Sequence, residues 1–319
     1  MFIDKISLLF NITHPDHQKH IASQLMNLPK ELDCGWFAVR GGAYKCAARL
    51  HAPLPKHDVQ GRWSKDYVLL QADPRNGQGA FLRAEWNPAR FSAIQRNHIF
   101  GSLDALLDLP PPAVGKGLVT RADIAIDFPG VSIGDYVFER IGAPYRKPII
   151  CKGALQTIYL GQPTSSGQTC VYDKAAHLGE VHVALTRVEV HSRPNRLAAD
   201  LFTMANPFKK FRVYDVKNAG LHIGAPHQRT FARAAAAVGI QAVLSDFPEP
   251  AAKKMKAVLV ASPASFWDPQ DLWQKWPQAI QEALPSFGNP DHYGTIDGAC
   301  DPVFVQSIAQ APPLAPTDN

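Results

Sequence analysis

The segment RADIAIDF (121–128) combines two acids with a strand-like apolar pattern. Successive side chains of a β-strand point to opposite faces of a sheet. The apolar residues Ile124, Ile126 and Phe128 therefore share one face, and Asp123 and Asp127 share the other. Two carboxylates on one face repel each other unless a positive charge lies nearby. The spacing indicates either a cation site or a set of ion pairs with arginines.

Two further segments place reactive groups by the same alternation. LTRVEVHSR (185–193) points Val188 and Val190 toward a core, and QTCVYDK (168–174) does so with Val171. The opposite faces then carry Arg187, Glu189, His191 and Arg193 on the first segment, and Cys170, Tyr172 and Lys174 on the second. Oxygen ligands with at most one imidazole suit a hard cation such as Mg²⁺ or Mn²⁺. Weak surface ion pairs of the aspartates with Arg187 and Arg193 are the alternative.

A tyrosine beside a divalent cation and a lysine has a specific chemical use. A phenol, with a pKa near 10, is a poor nucleophile until a cation or base helps remove its proton. A metal ion also polarises a phosphate and offsets the charge that develops during in-line attack. Tyr172 is therefore the candidate nucleophile for a phosphodiester, although Tyr159 and Tyr214 are rivals and a lone tyrosine is more often a core aromatic.

Composition limits the class of protein. The 319 residues are 46% apolar and 19% charged, with a net charge of +5, which predicts packed domains and favours an anionic partner. No apolar run approaches the roughly 20 residues that cross a bilayer. The five cysteines are scattered and lack CxxC spacing, as in reduced proteins. We expect a soluble, cytoplasmic protein without a membrane partner.

Two halves of the chain have a similar pattern. The first predicts a strand at DKISLLFNIT, a helix at HPDHQKHIASQLMNL and three more strands that end with AFLRAEW. The second predicts a strand at VTRADIAIDF, a helix at SIGDYVFERI, a hairpin from QTIYLGQ to GQTCVYDK and a strand at VALTRVEVHSR. Both last strands contain Arg-x-Glu, at Arg83–Glu85 and Arg187–Glu189. We expect an α+β fold of two related β-α-β-β-β units that form antiparallel sheet with helices on one face.

These patterns predict four regions. Residues 1–112 form an N-terminal α+β unit, residues 113–215 form the chemically active unit, and residues 216–308 form a helical C-terminal region, which is interrupted near Pro277. The proline-rich residues 309–319 form a disordered tail.

Four segments, in order, resemble the replication initiator family of rolling-circle plasmids and filamentous phages. They are an Arg-x-Asp-x-x-x-Asp strand (VTRADIAIDFPG), a Tyr-x-Gly hairpin with serines in its turn (TIYLGQPTSSG), a Tyr-Asp-Lys box and an Arg-x-Glu strand (LTRVEVHSRP). The match covers about residues 115–195, and RAEWNPARF in the first half adds weaker support.

The resemblance implies a rolling-circle replication initiator that nicks one strand at an origin and rejoins it. Tyr172 would form a 5′-phosphotyrosine, Asp123, Asp127 and Glu189 would bind Mg²⁺ or Mn²⁺, and His191 would be a ligand or support one. Lys174 and Arg121 are inferred to contact phosphate. The His-hydrophobic-His metal motif of many relaxases is absent. The histidines spaced three apart near the N-terminus, His14, His17 and His20, are better explained as a solvated helix start.

The partner of such a protein would be origin DNA, single-stranded or supercoiled. Predicted DNA contacts in the second half include Arg121, Arg187 and Arg193, together with Lys209, Lys210 and Arg212 of the basic-aromatic segment FKKFR. The first half would add DNA-binding surface. The C-terminal helices are candidates for origin recognition, homodimer formation or binding of a host helicase.

Two other functions fit the same residues. A non-catalytic origin-binding regulator of replication or copy number would bind DNA without cutting it. A metal-dependent hydrolytic nuclease would use water as the nucleophile and leave a free 5′-phosphate, with Tyr172 only positioning DNA.

Overall fold

The computed structural model describes residues 1–30, 35–40, 42–54, 63–77, 79–108, 113–163, 165–180, 183–218 and 225–284. The fold is α+β, as predicted, with a large antiparallel sheet and several helices. It divides into two compact units. The N-terminal unit comprises residues 3–122, 194–204 and, at the end of the described chain, 277–284; the second unit comprises residues 1–2, 123–193 and 205–276.

The N-terminal unit contains most of the strands of the first half and two long helices. The elements are β1 (Phe2–Asn11), α1 (Pro15–Asn27), β2 (Trp36–Ala38), β3 (Tyr44–Pro53), β4 (Trp63–Pro74), β5 (Phe81–Trp86), α2 (Ala93–Leu107) and the start of β6 (Leu118–Pro129). The strand order is β2-β3-β4-β5-β1-β6. Both helices contact β3 and each other, so they cover the face to which β3 points the fully buried Ala48 and Leu50.

The second unit continues from Asp123 along β6. Its later strands are β7 (Tyr136–Arg140), β8 (Arg146–Cys151), β9 (Ala154–Leu160), β10 (Gln168–Asp173), β11 (Leu185–Ser192) and β13 (Phe211–Asp215), with α3 (Lys174–Leu178) between β10 and β11; the short β12 (Arg196–Leu197) pairs with the start of β6 in the N-terminal unit. The strand order is β6-β11-β10-β9-β8, and β13 pairs with β7 in a separate ribbon. In the N-terminal unit β1 is thus next to β5, and in the second unit β6 is next to β11.

The alternation expected of the three chemically important strands is present. Val171, Val188 and Val190 are buried on the apolar face of β10 and β11. The two strands pair in antiparallel register, with Val171 opposite Val188. The predicted hairpin also forms, because β9 and β10 are consecutive strands that pair in antiparallel register. The side chains on the opposite face of these strands therefore lie beside each other.

The predicted helix at SIGDYVFERI is wrong. A single 3-10 turn covers Ile133–Asp135, and β7 follows it directly. Ser132 is of a residue type that often caps the start of a helix, but its side chain makes no capping hydrogen bond. Val137 and Phe138 are both fully buried, and the aromatic and β-branched residues of this segment suit a strand that is covered on both sides.

The start of α2 is fixed by a capping interaction. Ser92 and Gln95 form a capping box, in which each side chain accepts from the backbone of the other residue. This exchange satisfies backbone donors that a helix start would otherwise leave unpaired. The helix α2 therefore starts at Ala93.

The described part of the predicted C-terminal region, up to residue 284, contains several helices, and residues 285–308 and the predicted tail at 309–319 lie outside the described residues. Its helices are α4 (Ala225–Val238), α5 (Ile240–Ser245), α6 (Glu249–Val260), α7 (Pro269–Trp273) and α8 (Trp276–Ala283). The expected interruption lies before Pro277 rather than at it, because Pro277 occupies the first turn of α8, where proline removes no helical hydrogen bond. Among the described helices, none has the length and apolar character needed to cross a membrane.

We expect Phe138→Ala to lower the free energy of unfolding of the chain by about 3–5 kcal/mol, measured by urea denaturation. The ring is fully buried and lies 6.2 Å from the ring of Phe211 in the paired strand β13, so truncation leaves a cavity. Ile141, just beyond the same strand, is half exposed and provides the control. Ile141→Ala should change the stability by less than about 0.5 kcal/mol; equal losses in both variants would contradict the buried strand.

Candidate active site

Three potential metal ligands converge on the polar face of the second unit. They are Asp123 from β6 and Glu189 and His191 from β11, and one donor atom of each lies within 4.8 Å of the others. The two strands are neighbours in the sheet. Asp123 is 2% exposed and Glu189 is 9% exposed. Two carboxylates and an imidazole in this arrangement are a suitable donor set for Mg²⁺ or Mn²⁺.

Hydrogen bonds hold the imidazole of His191 from both sides. Its Nδ1 atom lies 3.2 Å from Oε1 of Gln168, and its Nε2 atom lies 2.9 Å from Oε1 of Glu189. Gln168 is directly opposite His191 in the β10–β11 ladder. If Nδ1–H donates to the amide oxygen, Nε2 presents a lone pair to the carboxylate. A proton or a metal ion must then lie between those two atoms, and this orientation is the one that metal-binding histidines use.

Tyr172 reaches the same carboxylate from the next strand. Its hydroxyl donates to Oε2 of Glu189 over 3.4 Å, so the two oxygens of Glu189 contact different partners. The ring is half buried and also lies edge-on to His177 of α3, with centroids 6.0 Å apart. The phenol therefore lies on the polar face of the sheet, beside the three potential ligands, and is absent from the apolar core.

Asp127 forms the ion pair with Arg187 that the sequence offered as the alternative to a metal site. Its carboxylate accepts from Nε and Nη2 of Arg187, at 2.6 and 2.8 Å. The guanidinium is mostly buried and stacks on the ring of Phe2 at 4.8 Å. A two-pronged pair of this kind is strong and geometrically fixed. The structure thus brings three of the four expected ligands together, and the fourth, Asp127, pairs with Arg187 instead. Arg187, which was expected to contact DNA, binds this carboxylate.

The other predicted DNA contacts lie on the surface or close to it. Lys174 is half buried as the first residue of α3, Arg193 is exposed just after β11, and Arg121 is half buried in β6, two residues before Asp123. Lys209, Lys210 and Arg212 are all exposed. The two phenylalanines of FKKFR, however, are fully buried, so this segment has basic side chains but no ring for base stacking.

Sequence reasoning missed two groups that support the site. Gln168 holds His191, and Tyr159 of β9 hydrogen-bonds to the thiol of Cys170, which lies opposite Glu189. Burial, together with the negative charge of Glu189, raises the pKa of Cys170 to about 12. The free thiol is therefore protonated near neutral pH. The alternation that placed Cys170 and Tyr172 on one face could also have identified Gln168, two residues earlier.

The hairpin turn fixes the position of Gln168. Gly167 immediately precedes it and has φ +90°, a left-handed conformation that disfavours other residues. The N–H of Gly167 donates to the carbonyl of His191 over 2.7 Å. A side chain at this position would also overlap the guanidinium of Arg140, 2.5 Å from the expected Cβ. The glycine thus ties the turn to β11 beside the candidate ligands.

Comparisons with known proteins include a likeness to a solved structure at low sequence identity. No protein-family model matches the chain, and no curated protein matches it. Among solved structures, the chain is similar to a rolling circle replication initiator protein from Geobacillus stearothermophilus, with 14% sequence identity and a TM-score of 0.36 over 61% of this chain and 74% of that one.

We expect Asp123→Asn to weaken Mn²⁺ binding by at least about 100-fold, since loss of an outer hydrogen-bond partner alone costs about 10- to 100-fold. Isothermal titration of the full chain with Mn²⁺ measures the affinity. Asp127→Asn is the matched control, because Asp127 is bound to Arg187 and lies outside the group of three. Its affinity should stay within about threefold of the parent. Equal losses in the two variants would return Asp127 to the ligand set.

Proposed function

We propose that this protein is a nicking and joining enzyme that cuts one DNA strand with Tyr172 and a divalent cation. The observation that carries the proposal is the hydrogen bond from the hydroxyl of Tyr172 to Glu189, a residue that also belongs to the group of three potential ligands. A nucleophile and a cation site thus share one carboxylate. The order of the Arg-x-Asp, Tyr-Asp-Lys and Arg-x-Glu segments, which resembles that of rolling-circle initiators, supports the same chemistry.

The donor set fits a hard divalent cation. Asp123 and Glu189 supply carboxylate oxygens, and His191 is held through Nδ1 so that Nε2 faces the other ligands. When bound there, Mg²⁺ or Mn²⁺ would polarise a phosphate oxygen and favour ionisation of a nearby phenol. Asp127 is proposed to act indirectly, by holding Arg187 in place.

The protein's own residues then define one balanced reaction. Oε2 of Glu189 is placed to accept the proton of Tyr172 as the phenolic oxygen attacks phosphorus. The bond from Tyr172 to phosphorus forms, and the bond from phosphorus to the 3′ oxygen breaks. The leaving 3′ oxygen takes up one proton, which Glu189 gives up directly or through solvent, and the protein stays attached to the 5′ phosphate. Attack by a 3′ hydroxyl on that linkage reverses the step and rejoins the strand.

The contacts with DNA are proposed from the positions of the exposed cations. Lys174 follows Tyr172 by two residues, at the start of α3, and Arg193 lies two residues beyond His191. Both are placed to contact the phosphates next to the bond that is cut. Lys209, Lys210 and Arg212 would add contacts to the DNA backbone but not base stacking, because their neighbouring rings are buried. On this proposal the partner is the DNA of a replication origin.

We expect Tyr172→Phe to abolish the covalent protein–DNA adduct, because the variant lacks the attacking oxygen. The full chain is incubated with Mn²⁺ and 3′-labelled single-stranded DNA of random sequence, and the adduct is detected on a denaturing gel and by mass spectrometry of the linked peptide. Tyr159→Phe is the matched control, since Tyr159 lies on the neighbouring strand β9 and contacts Cys170 instead of Glu189.

The products distinguish the competing functions. An adduct on Tyr172 that persists in Tyr159→Phe supports the proposal. An adduct in Tyr172→Phe removes this tyrosine from the role, and free 5′-phosphate ends without an adduct indicate hydrolysis by water. Uncut DNA that is nevertheless bound by the protein, with every divalent metal tested, indicates a regulator without catalysis.

A further inference from the structure

Three aromatic rings lie side by side on neighbouring strands of the N-terminal unit. Phe37 of β2 contacts His51 of β3 edge-on, with ring centroids 4.7 Å apart, and His51 contacts Tyr67 of β4 at 5.3 Å. His51 and Tyr67 are direct partners in the strand register. Single exposed apolar residues are common on protein surfaces, but a contiguous row of rings is not. We call these three residues the aromatic row.

The aromatic row faces away from the helices of its own unit. The residues that alternate with it, Leu50 and Val68, are fully buried on the face covered by α1 and α2. Phe37, by contrast, is 46% exposed, and His51 and Tyr67 are partly exposed. The ring of His51 is fixed further by Nδ1, which lies 2.7 Å from the carbonyl oxygen of Ser64. The row is therefore an ordered surface and does not belong to the core.

Positive charge accompanies the rings. The guanidinium of Arg49 lies over the ring of Tyr67, 4.4 Å from its centroid, and the Arg49 side chain is exposed. A guanidinium that stacks on an aromatic ring can still donate its N–H groups to a phosphate. Lys65 is exposed on β4, the strand of Tyr67, whereas Lys45 of β3 forms an ion pair with Asp73 at 3.1 Å. A row of rings flanked by cations is complementary to bases that are linked by phosphates.

A cavity of about 350 Å³ opens beside Tyr67. Leu69 and Tyr67 form part of its wall, and two ion pairs border it, Lys5 with Glu85 at 2.8 Å and Arg90 with Asp66 at 2.9 Å. This volume lies within the range of small-ligand sites, which combine apolar walls with a few polar groups. The cavity therefore lies next to the aromatic row and has hydrogen-bonding groups at its border.

We infer that the aromatic row, Arg49 and the adjoining cavity form a binding site for the unpaired nucleotides of a single-stranded nucleic acid. Bases stack on aromatic side chains with little regard to sequence, and cations follow the backbone. Paired bases in a duplex present no free faces, so the surface selects single strands. The inference adds a nucleic-acid contact to the proposed function but does not depend on Tyr172 or on a metal ion.

Binding is measured by fluorescence anisotropy of the full chain with a labelled oligothymidylate of about 20 nucleotides, in EDTA so that no metal-dependent cutting occurs. Phe37→Leu and Tyr67→Ala should each weaken binding about tenfold through loss of base stacking. Arg49→Gln should reduce the slope of log affinity against log salt by about 0.7. Because Phe37 is strongly exposed, Phe37→Leu is expected to fold normally, which circular dichroism checks.

Matched controls isolate the rings and the charge. Tyr67→Phe keeps the ring and should bind as the parent does. Met26→Ala and Lys19→Gln change an exposed apolar residue and an exposed cation on α1, which covers the opposite face, and should leave the affinity within about twofold. Oligouridylate of the same length serves as the second arm. Binding of either strand supports the site, and the ratio of the two dissociation constants assigns DNA or RNA.

Three results would overturn the inference: no binding by the parent protein, unchanged binding in both Phe37→Leu and Tyr67→Ala, or duplex DNA that binds as tightly as the single strand. These outcomes are separable from failure of the proposed nicking. If the protein forms no adduct on Tyr172 but Phe37→Leu binds oligothymidylate more weakly than the parent does, the binding site stands and only the proposed nicking fails. A protein that nicks normally while Phe37→Leu and Tyr67→Ala bind unchanged lacks it.

Discussion

The repulsion between Asp123 and Glu189 is the constraint on which the candidate site depends. Both carboxylates are almost fully buried, and their oxygens lie within 4.8 Å of each other. Two negative charges at that distance repel by at least about 3 kcal/mol at an effective dielectric constant of 20, in addition to the cost of removing each from water. The third member of the group, His191, offers only one nitrogen to relieve this repulsion. A divalent cation bound by the two carboxylates would neutralise both acids at once.

The negative charge of Asp127 is balanced by an arginine. Asp127 lies four residues along β6 from Asp123, yet Arg187 neutralises it completely with two hydrogen bonds. That pair, together with the ring of Phe2, fills the space beside Tyr172, which is the register partner of Arg187. The ion pair of Asp127 with Arg187 and the group of three potential ligands therefore lie side by side on one face of the sheet. The ion pair is geometrically fixed, whereas Asp123, Glu189 and His191 are the potential metal ligands.

The spacing of residues predicted which side chains share a face, but it did not predict which of them touch. The period of two placed Asp123, Glu189, His191 and Tyr172 on polar faces without any knowledge of the fold. The sequence offered an ion pair of the aspartates with Arg187 as the alternative to metal binding. Which of the two applies to Asp127 depends on strand order and on the stagger between strands, which one sequence does not encode locally. The segment at 132–141 failed for a different reason: a possible cap at Ser132 outweighed the strand preference of Tyr136, Val137 and Phe138, whose burial comes from distant partners. The rings of FKKFR were misassigned because the sequence does not show which face of a short segment the core covers.

The N-terminal unit shows what the same strand order becomes without the acids. Its Arg83 and Glu85 repeat the Arg-x-Glu of β11, but β1 has Ser7 and Asn11 at the four-residue spacing that Asp123 and Asp127 have in β6. Ser7 lies directly opposite Glu85, and Lys5 and Arg83 both form ion pairs with that glutamate. Arg83 also donates to Ser7 and Gln71, so its hydrogen bonds stay within the unit. The charge of Glu85 is thus already balanced by two cations, and the described residues of this unit leave no acidic group comparable to that around Asp123. In the N-terminal unit, Ser7 and Asn11 stand at the spacing of the two aspartates, Asn87 follows Glu85 at the spacing at which His191 follows Glu189, and Glu85 is balanced by Lys5 and Arg83.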